Sequence, residues 1–192
     1  MLDLITKSKI RQKIVLLFIY NPEKAHYINE IARLVKTSAG TAQRELERLL
    51  KSGLLSKEKK ANLMYFKLNT GNPLLRDIKN IIDKTIGLKH ILKQELEATV
   101  GIDFAFMFGS YVKGDFKPES DIDLYVVGEI SEDNLYKRIK KVEERIHREI
   151  NYHLAAREEF KINLKKSFFY KEILTQYALI IGDENEFRKF IG

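Results

Sequence analysis

Cysteine and tryptophan are absent from this 192-residue chain, and proline occurs only 3 times. Without cysteine there is no disulfide framework and no thiolate metal site. Long apolar runs are missing too: none approaches the roughly 20 residues a membrane span needs. Lys7, Lys9, Arg11 and Lys13 interrupt the start of the chain, which breaks the pattern of a secretory signal. These absences point to a cytoplasmic protein with no membrane partner. What is present suits folded domains: 44% hydrophobic and 32% charged residues, enough for real cores. The length suits one ordinary domain or two small ones.

Negative charge is what the first third has little of. Residues 1–72 carry 14 Lys/Arg against 6 Asp/Glu, a net charge of +8, while the rest of the chain carries 20 against 21. The whole basic excess therefore sits at one end, as expected of a segment that meets a polyanion. A merely solvated surface would give the same count.

Three helical patterns follow one another in that segment. Ile10, Ile14, Leu17 and Phe18 recur at helical spacing before Asn21-Pro22, which closes the helix. Ile28, Ile31, Ala32 and Val35 make a second stripe. After Lys36-Thr37, Ser38 is placed to cap a third helix bearing Ala42, Leu46, Leu49 and Leu50, which stops at Gly53. Leu54–Ser56 and Leu63–Leu68 read as two strands around a basic loop, Lys57 to Asn62. Three helices and a basic hairpin over residues 8–70 resemble a winged helix-turn-helix domain. That resemblance implies double-stranded DNA as a partner, with the third helix in the major groove. Carried onto this chain, Thr41, Gln43 and Arg44 face the groove. Gln43 would read an adenine edge and Arg44 a guanine or a phosphate. Lys57, Lys59 and Lys60 would contact phosphates. A packing or dimerisation module without DNA is the other reading.

Asn72-Pro73 starts a helical connector as N-cap and first helical residue. Leu74, Ile78, Ile81 and Ile82 lead to Ile86, Leu88, Ile91, Leu92 and Leu96, with Gly87 a predicted break. An ordinary packing helix is the simpler account; a short homodimer seam is the other.

Ile102–Phe108 reads as a buried strand, followed by Gly109-Ser110 and a short segment, Tyr111 to Lys113, that opens a helix. Strand, Gly-Ser, helix is a phosphate-binding arrangement. Downstream, Asp121-Ile122-Asp123-Leu124 puts two carboxylates on one face of a strand, roughly 6–7 Å apart at the backbone. Their mutual repulsion is costly unless a cation lies between them. Mg²⁺ or Mn²⁺ suits such a pair, because it takes a few carboxylates plus phosphate oxygens and water. A surface acidic turn would leave the Gly-Ser spacing unexplained.

Gly109-Ser110, then nine residues, then Ser120-Asp121-Ile122-Asp123-Leu124 resembles the signature of the DNA polymerase β-like nucleotidyltransferases, and most of all the minimal nucleotidyltransferases of prokaryotes. Lys113-Gly114 resembles the basic residue and glycine usual inside that loop. The resemblance covers about residues 100–155. It implies that Gly109, Ser110 and Lys113 bind the phosphates of an NTP, and that Asp121 and Asp123 hold the metal and serve catalysis. It also implies a helix at Glu132–His147 and a strand at Ile150–Leu154. In such proteins a helical partner from another chain often docks nearby.

One position departs from the pattern. Active members usually carry a third carboxylate on that later strand, where this chain reads Ile150-Asn151-Tyr152. Asn151 offers a carbonyl oxygen but no charge, and it cannot take a proton from an attacking hydroxyl. Glu149 shares a face with Asn151, whereas Glu158 and Glu159 read as the start of a helix. His26, His90, His147 and His153 read as structural, without a matched ligand spacing. Ala178–Ile181 is a last strand or a buried loop.

The expected fold class is α+β. A winged helix-turn-helix spans 1–72, a helical connector 73–100, and a nucleotidyltransferase domain with a small mixed sheet and flanking helices 101–192. Two functions remain open. The main one is a DNA-binding, transcriptional regulator-like protein whose second domain binds NTP and divalent metal. The alternative is an active enzyme transferring a nucleoside monophosphate from an NTP to a hydroxyl on a protein, an RNA or a small molecule.

Overall fold

A computed structural model describes residues 7–113 and 120–192. The chain forms two compact units, Met1–Leu88 with Arg145–His147, and Lys89–Glu144 with Arg148–Gly192.

The first unit begins with α1 (Lys9–Tyr20), capped by the Ser8 hydroxyl, which accepts from the Arg11 amide. Its C-terminal half is buried all round, Ile14 through Tyr20. Of the stripe expected from spacing, Ile14, Leu17 and Phe18 lie in this wholly internal segment, while Ile10 before it is half-buried. A two-residue strand, β1 (His26–Tyr27), leads into α2 (Ile28–Leu34) and then α3 (Ala39–Lys51). Ser38 caps α3, accepting from the Thr41 amide at 3.3 Å. The apolar face of α3 is Ala42, Leu46 and Leu49, with Glu45 buried among them, while Leu50 is only half-buried. Glu45 is tolerated there because it accepts from Arg11 Nε at 2.7 Å, Ser8 Oγ at 2.9 Å and Arg48 Nη1 at 3.3 Å. Burial pulls its pKa up, but the bonds from Arg11 and Ser8 and the nearby guanidinium charges outweigh that and hold it below the usual carboxylate range.

β2 (Leu55–Lys60) and β3 (Leu63–Leu68) form an antiparallel hairpin, and β1 pairs the other edge of β3, in the order β1-β3-β2. The basic loop expected at Lys57–Asn62 is shorter than that. Lys57, Lys59 and Lys60 lie within β2, and because Lys60 pairs with Leu63 the turn is Ala61-Asn62 alone. Two residues suffice because Ala61 takes a positive φ of 51°. The connector's first half, α4 (Leu75–Thr85), belongs to this unit. Asn72 does not cap it: its Oδ1 accepts from the Leu74 amide, and its Nδ2 ties the chain to the Gly53 carbonyl. At the other end Tyr20 donates to Asp83 and accepts from the Leu88 amide. Gly87 is needed there, since a Cβ would press on Tyr20 Oη and the Ile82 carbonyl.

The second unit is a four-stranded mixed sheet with helices. After α5 (Leu88–Glu97) come β4 (Ile102–Phe108), the short α6 (Gly109–Lys113), β5 (Ile122–Gly128), α7 (Glu132–Ile146), β6 (Ile150–Ala155), α8 (Arg157–Lys166), α9 (Phe168–Ile173), β7 (Ala178–Ile181) and α10 (Glu184–Ile191). The sheet order is β6-β5-β4-β7, with β5 and β6 parallel and the other pairs antiparallel. The apolar run at Ala178 is thus an edge strand. β5 is buried on both faces, as a central strand should be. One face carries Tyr125 and Val127, which join Phe104, Phe106 and Phe108 in an aromatic core completed by Ala155, Phe160, Ile173, Phe187 and Phe190. Ile122, Leu124 and Val126 alternate onto the other face and are fully buried, as are Leu135, Ile139 and Val142 of α7. Among the described residues no helix is long and apolar enough to cross a membrane.

Candidate active site

The register of β4 against β5 creates the site. Phe108 stands opposite Asp123, so the residue after Phe108 lands beside the Asp123 carboxylate. That residue is Gly109, with φ +76°. A Cβ there would run into Asp123 Oδ2, and L side chains rarely adopt this backbone conformation. Glycine is therefore required twice over, by conformation and by space. Ser110 and Lys113 follow on α6; Ser110 is half-buried and Lys113 exposed. Gly114 lies outside the described residues.

Asp121 precedes β5 and is exposed, while Asp123 is half-buried within it. Burial raises the Asp123 pKa first, and the Asp121 charge adds to it. Opposing both, the Asn151 side chain hydrogen-bonds Asp123 and the His153 charge favours its ionised form. Asn151 is in direct register with Asp123 on the parallel neighbour β6. The third-carboxylate position thus sits at the pair, but it holds an amide that donates a hydrogen bond instead of adding a charge. Glu149 stays outside β6, with its carbonyl accepting from the Ile122 amide at 3.3 Å. Glu158 and Glu159 fall in the first turn of α8.

Three residues near the pair are not evident from the sequence motif. Arg148 donates through Nε, at 3.0 Å, and Nη2 to the Ser120 carbonyl, at the residue before Asp121. Burial lowers its pKa, and the Asp121 charge acts the other way. His153, two residues beyond Asn151, is exposed and lies stacked on Tyr125, with ring centroids 5.6 Å apart and 19° between planes. Phe169 meets the same imidazole edge-on at 5.8 Å and is itself 40% exposed. The period-2 rule points to His153, since it shares a face with Asn151. Nothing local points to Phe169, which arrives from α9. Among the described residues no group of three or more His, Cys, Asp and Glu is arranged to hold a metal ion.

In the first unit Gln43 and Arg44 are exposed, Thr41 is half-buried, and Lys57, Lys59 and Lys60 are exposed along β2. Gln43 donates to Glu47, and Arg44 to the Thr41 hydroxyl.

Residues 87–180 match the family model of the nucleotidyltransferase domain. The match runs from the glycine before α5 to the third residue of β7, and so includes Gly109, both aspartates and Asn151. No curated protein sequence matches this chain. Among solved structures, a toxin–antitoxin with AMP-PNP is similar at 16% identity and a TM-score of 0.41, over 54% of this chain and 80% of that one. The tri-AMPylated Shewanella oneidensis HEPN toxin in complex with MNT antitoxin is similar at 14% identity and a TM-score of 0.38, over 54% and 77%.

Proposed function

We propose that this chain transfers a nucleoside monophosphate from an NTP to an acceptor hydroxyl. The observation that carries this is the position of Gly109 directly against Asp123, next to Asp121. A glycine that lets the Asp123 carboxylate lie against the start of the Gly-Ser turn and a carboxylate pair that wants a cation occupy one spot, as a metal-bound triphosphate requires. The donor set fits Mg²⁺ or Mn²⁺: two adjacent carboxylates, one disfavoured as an anion by burial and by its neighbour, with phosphate oxygens and water completing the shell. Bound there, the ion supplies charge stabilisation to the transferring phosphoryl group.

The chain's own residues have distinct roles in this reading. Asp121 and Asp123 hold the ion, and Asn151 orients Asp123 through its hydrogen bond. Gly109 leaves room for the Asp123 carboxylate, with Ser110 and Lys113 as donors to the phosphate oxygens. In the reaction a bond forms between the acceptor oxygen and the α-phosphorus, and the α–β bridge breaks to release pyrophosphate. The acceptor proton goes to solvent or to a base on the acceptor, because Asn151 accepts none.

The test is incubation with α-labelled NTPs and Mg²⁺ or Mn²⁺, with protein, RNA and small alcohols offered as acceptors. Label should reach one acceptor class and vanish in Asp121→Ala and Asp123→Ala. Nucleotide binding with no transfer to any acceptor would overturn the proposal in favour of a sensor.

A second reading concerns the first unit, which we propose is a winged helix-turn-helix that binds double-stranded DNA. Its element order α1-β1-α2-α3-β2-β3, its sheet order β1-β3-β2 and its exposed lysines on β2 support this. Affinity for duplex DNA should fall steeply as salt rises. Absence of binding at low salt would end this reading and leave the transferase proposal untouched.

A further inference from the structure

α4 is fixed at both ends, by Asn72 to the Gly53 carbonyl and by Tyr20 to Asp83. Between those anchors only Ile82 is fully buried. Leu74 is 59% exposed and Ile81 42%, and Ile78 between them is half-buried. Together with Val15 of α1 and Leu49 of α3, these residues line an open, mainly apolar groove of about 340 Å³, with Arg11 and Arg48 also in its lining. Leu74, Ile78, Ile81 and Thr85 recur at the alternating four- and three-residue spacing of a two-helix seam. The stripe is wider than the fold uses. Its inner edge, Ile82, is buried in this unit, and its outer edge faces solvent.

The border of that outer edge is charged with opposite signs at its two ends. Asp77 and Lys84 lie one heptad apart on the same side of the seam. In a two-fold antiparallel pairing, Ile78 meets Ile81 of the second copy, and Asp77 stands across from Lys84 of the second copy, twice over. A parallel pairing would not bring these positions together.

We propose that the groove receives α4 of a second copy of this chain, giving an antiparallel α4–α4 dimer through Leu74, Ile78 and Ile81. Apolar burial supplies the affinity and the Asp77–Lys84 pairs set the direction. The inference does not rest on either function proposed above.

Sedimentation of the full chain across micromolar concentrations tests it. The native chain should be a reversible dimer. Ile81→Glu replaces an exposed residue, so the fold should survive, and the dimer dissociation constant should rise about a hundred-fold. Asp77→Lys and Lys84→Asp should each weaken self-association, because each sets like charges opposite one another. Mixed together, the two variant chains should pair with each other at native affinity. These surface changes keep the test decisive even if Ile81→Glu does not fold. A native chain that stays monomeric overturns the proposal, as does a mixture that pairs no better than its components. A monomer whose groove takes up an anilinonaphthalene sulfonate dye, with the uptake lost in Ile81→Glu, assigns the groove to a small amphipathic ligand and equally overturns it.

Discussion

Replacing Gly109 by alanine separates the site's chemistry from the fold's stability. The backbone there has φ +76°, which costs a non-glycine residue about 1–2 kcal/mol. The added methyl also needs the volume held by Asp123 Oδ2. A carboxylate at the end of a side chain can rotate aside, so the protein should fold, with melting lower by roughly 2–8 °C. The rotation, however, takes Asp123 away from Asp121 and from Asn151, so the two carboxylates no longer converge. Removing one charge-assisted bond to the metal and one close hydrogen bond should weaken binding by about 3–4 kcal/mol, or two to three orders of magnitude. Calorimetric titration of native and Gly109→Ala protein with Mn²⁺ and a non-hydrolysable NTP measures this, with circular dichroism as the fold control. If the alanine variant binds the metal–nucleotide as tightly as the native chain, the close packing of Gly109 on Asp123 has no bearing on ligand binding, and the site is not built around that glycine.

Other expectations follow from the same geometry. Two charges roughly 6–7 Å apart repel by about 0.6–2.5 kcal/mol between water-like and surface-like dielectrics, so Asp123→Asn should melt higher than the native chain without metal and lose the stabilisation that Mn²⁺ gives. Asn151→Asp removes the donor to Asp123 and adds a third negative charge; metal-free unfolding should come about 1–2 kcal/mol easier, with a larger stabilisation by Mn²⁺ in thermal shift. Glu45 is held below the ordinary carboxylate range, so the stability it contributes is present above that range and lost as pH falls from there through its own lowered pKa. Glu45→Gln should flatten the acid limb of the first unit's unfolding curve and cost about 2 kcal/mol at neutral pH. Replacing Lys57, Lys59 and Lys60 by alanine should reduce the salt slope of DNA binding by about one unit for each phosphate no longer neutralised; an unchanged slope would free β2 of that role.

The helices and strands are legible in the sequence because period and punctuation agree along much of the chain. Ser38, Gly53 and the 3.6-residue stripe of α3 all mark one element. Where they fail, a longer-range partner intervenes. Asn72 has the chemistry of an N-cap, and its Oδ1 does accept from the Leu74 amide, but its Nδ2 is drawn to the Gly53 carbonyl, 19 residues away, and the helix begins only at Leu75. The basic hairpin tip reads as a loop because lysines are poor strand formers, yet pairing with Leu63–Phe66 draws them into β2. Glu45 lies on the buried face of α3, and Arg11 and Ser8, on another helix and its cap, together with Arg48, make that burial tolerable.

Sequence alone determined that two carboxylates stand one residue apart where a buried strand begins and that a Gly-Ser turn precedes them, because apolar patterning and the torsional freedom of glycine are local properties; the shared strand face expected of the pair is not formed, since Asp121 precedes β5. It also determined that the third position is an amide. Tertiary structure decided the rest. The antiparallel register that puts Phe108 opposite Asp123 places Gly109 against the carboxylate, and the parallel register of β6 turns Asn151 from a missing base into a hydrogen-bond donor to Asp123. Strand register depends on which apolar faces are buried together across the whole sheet. No window of the chain contains that information.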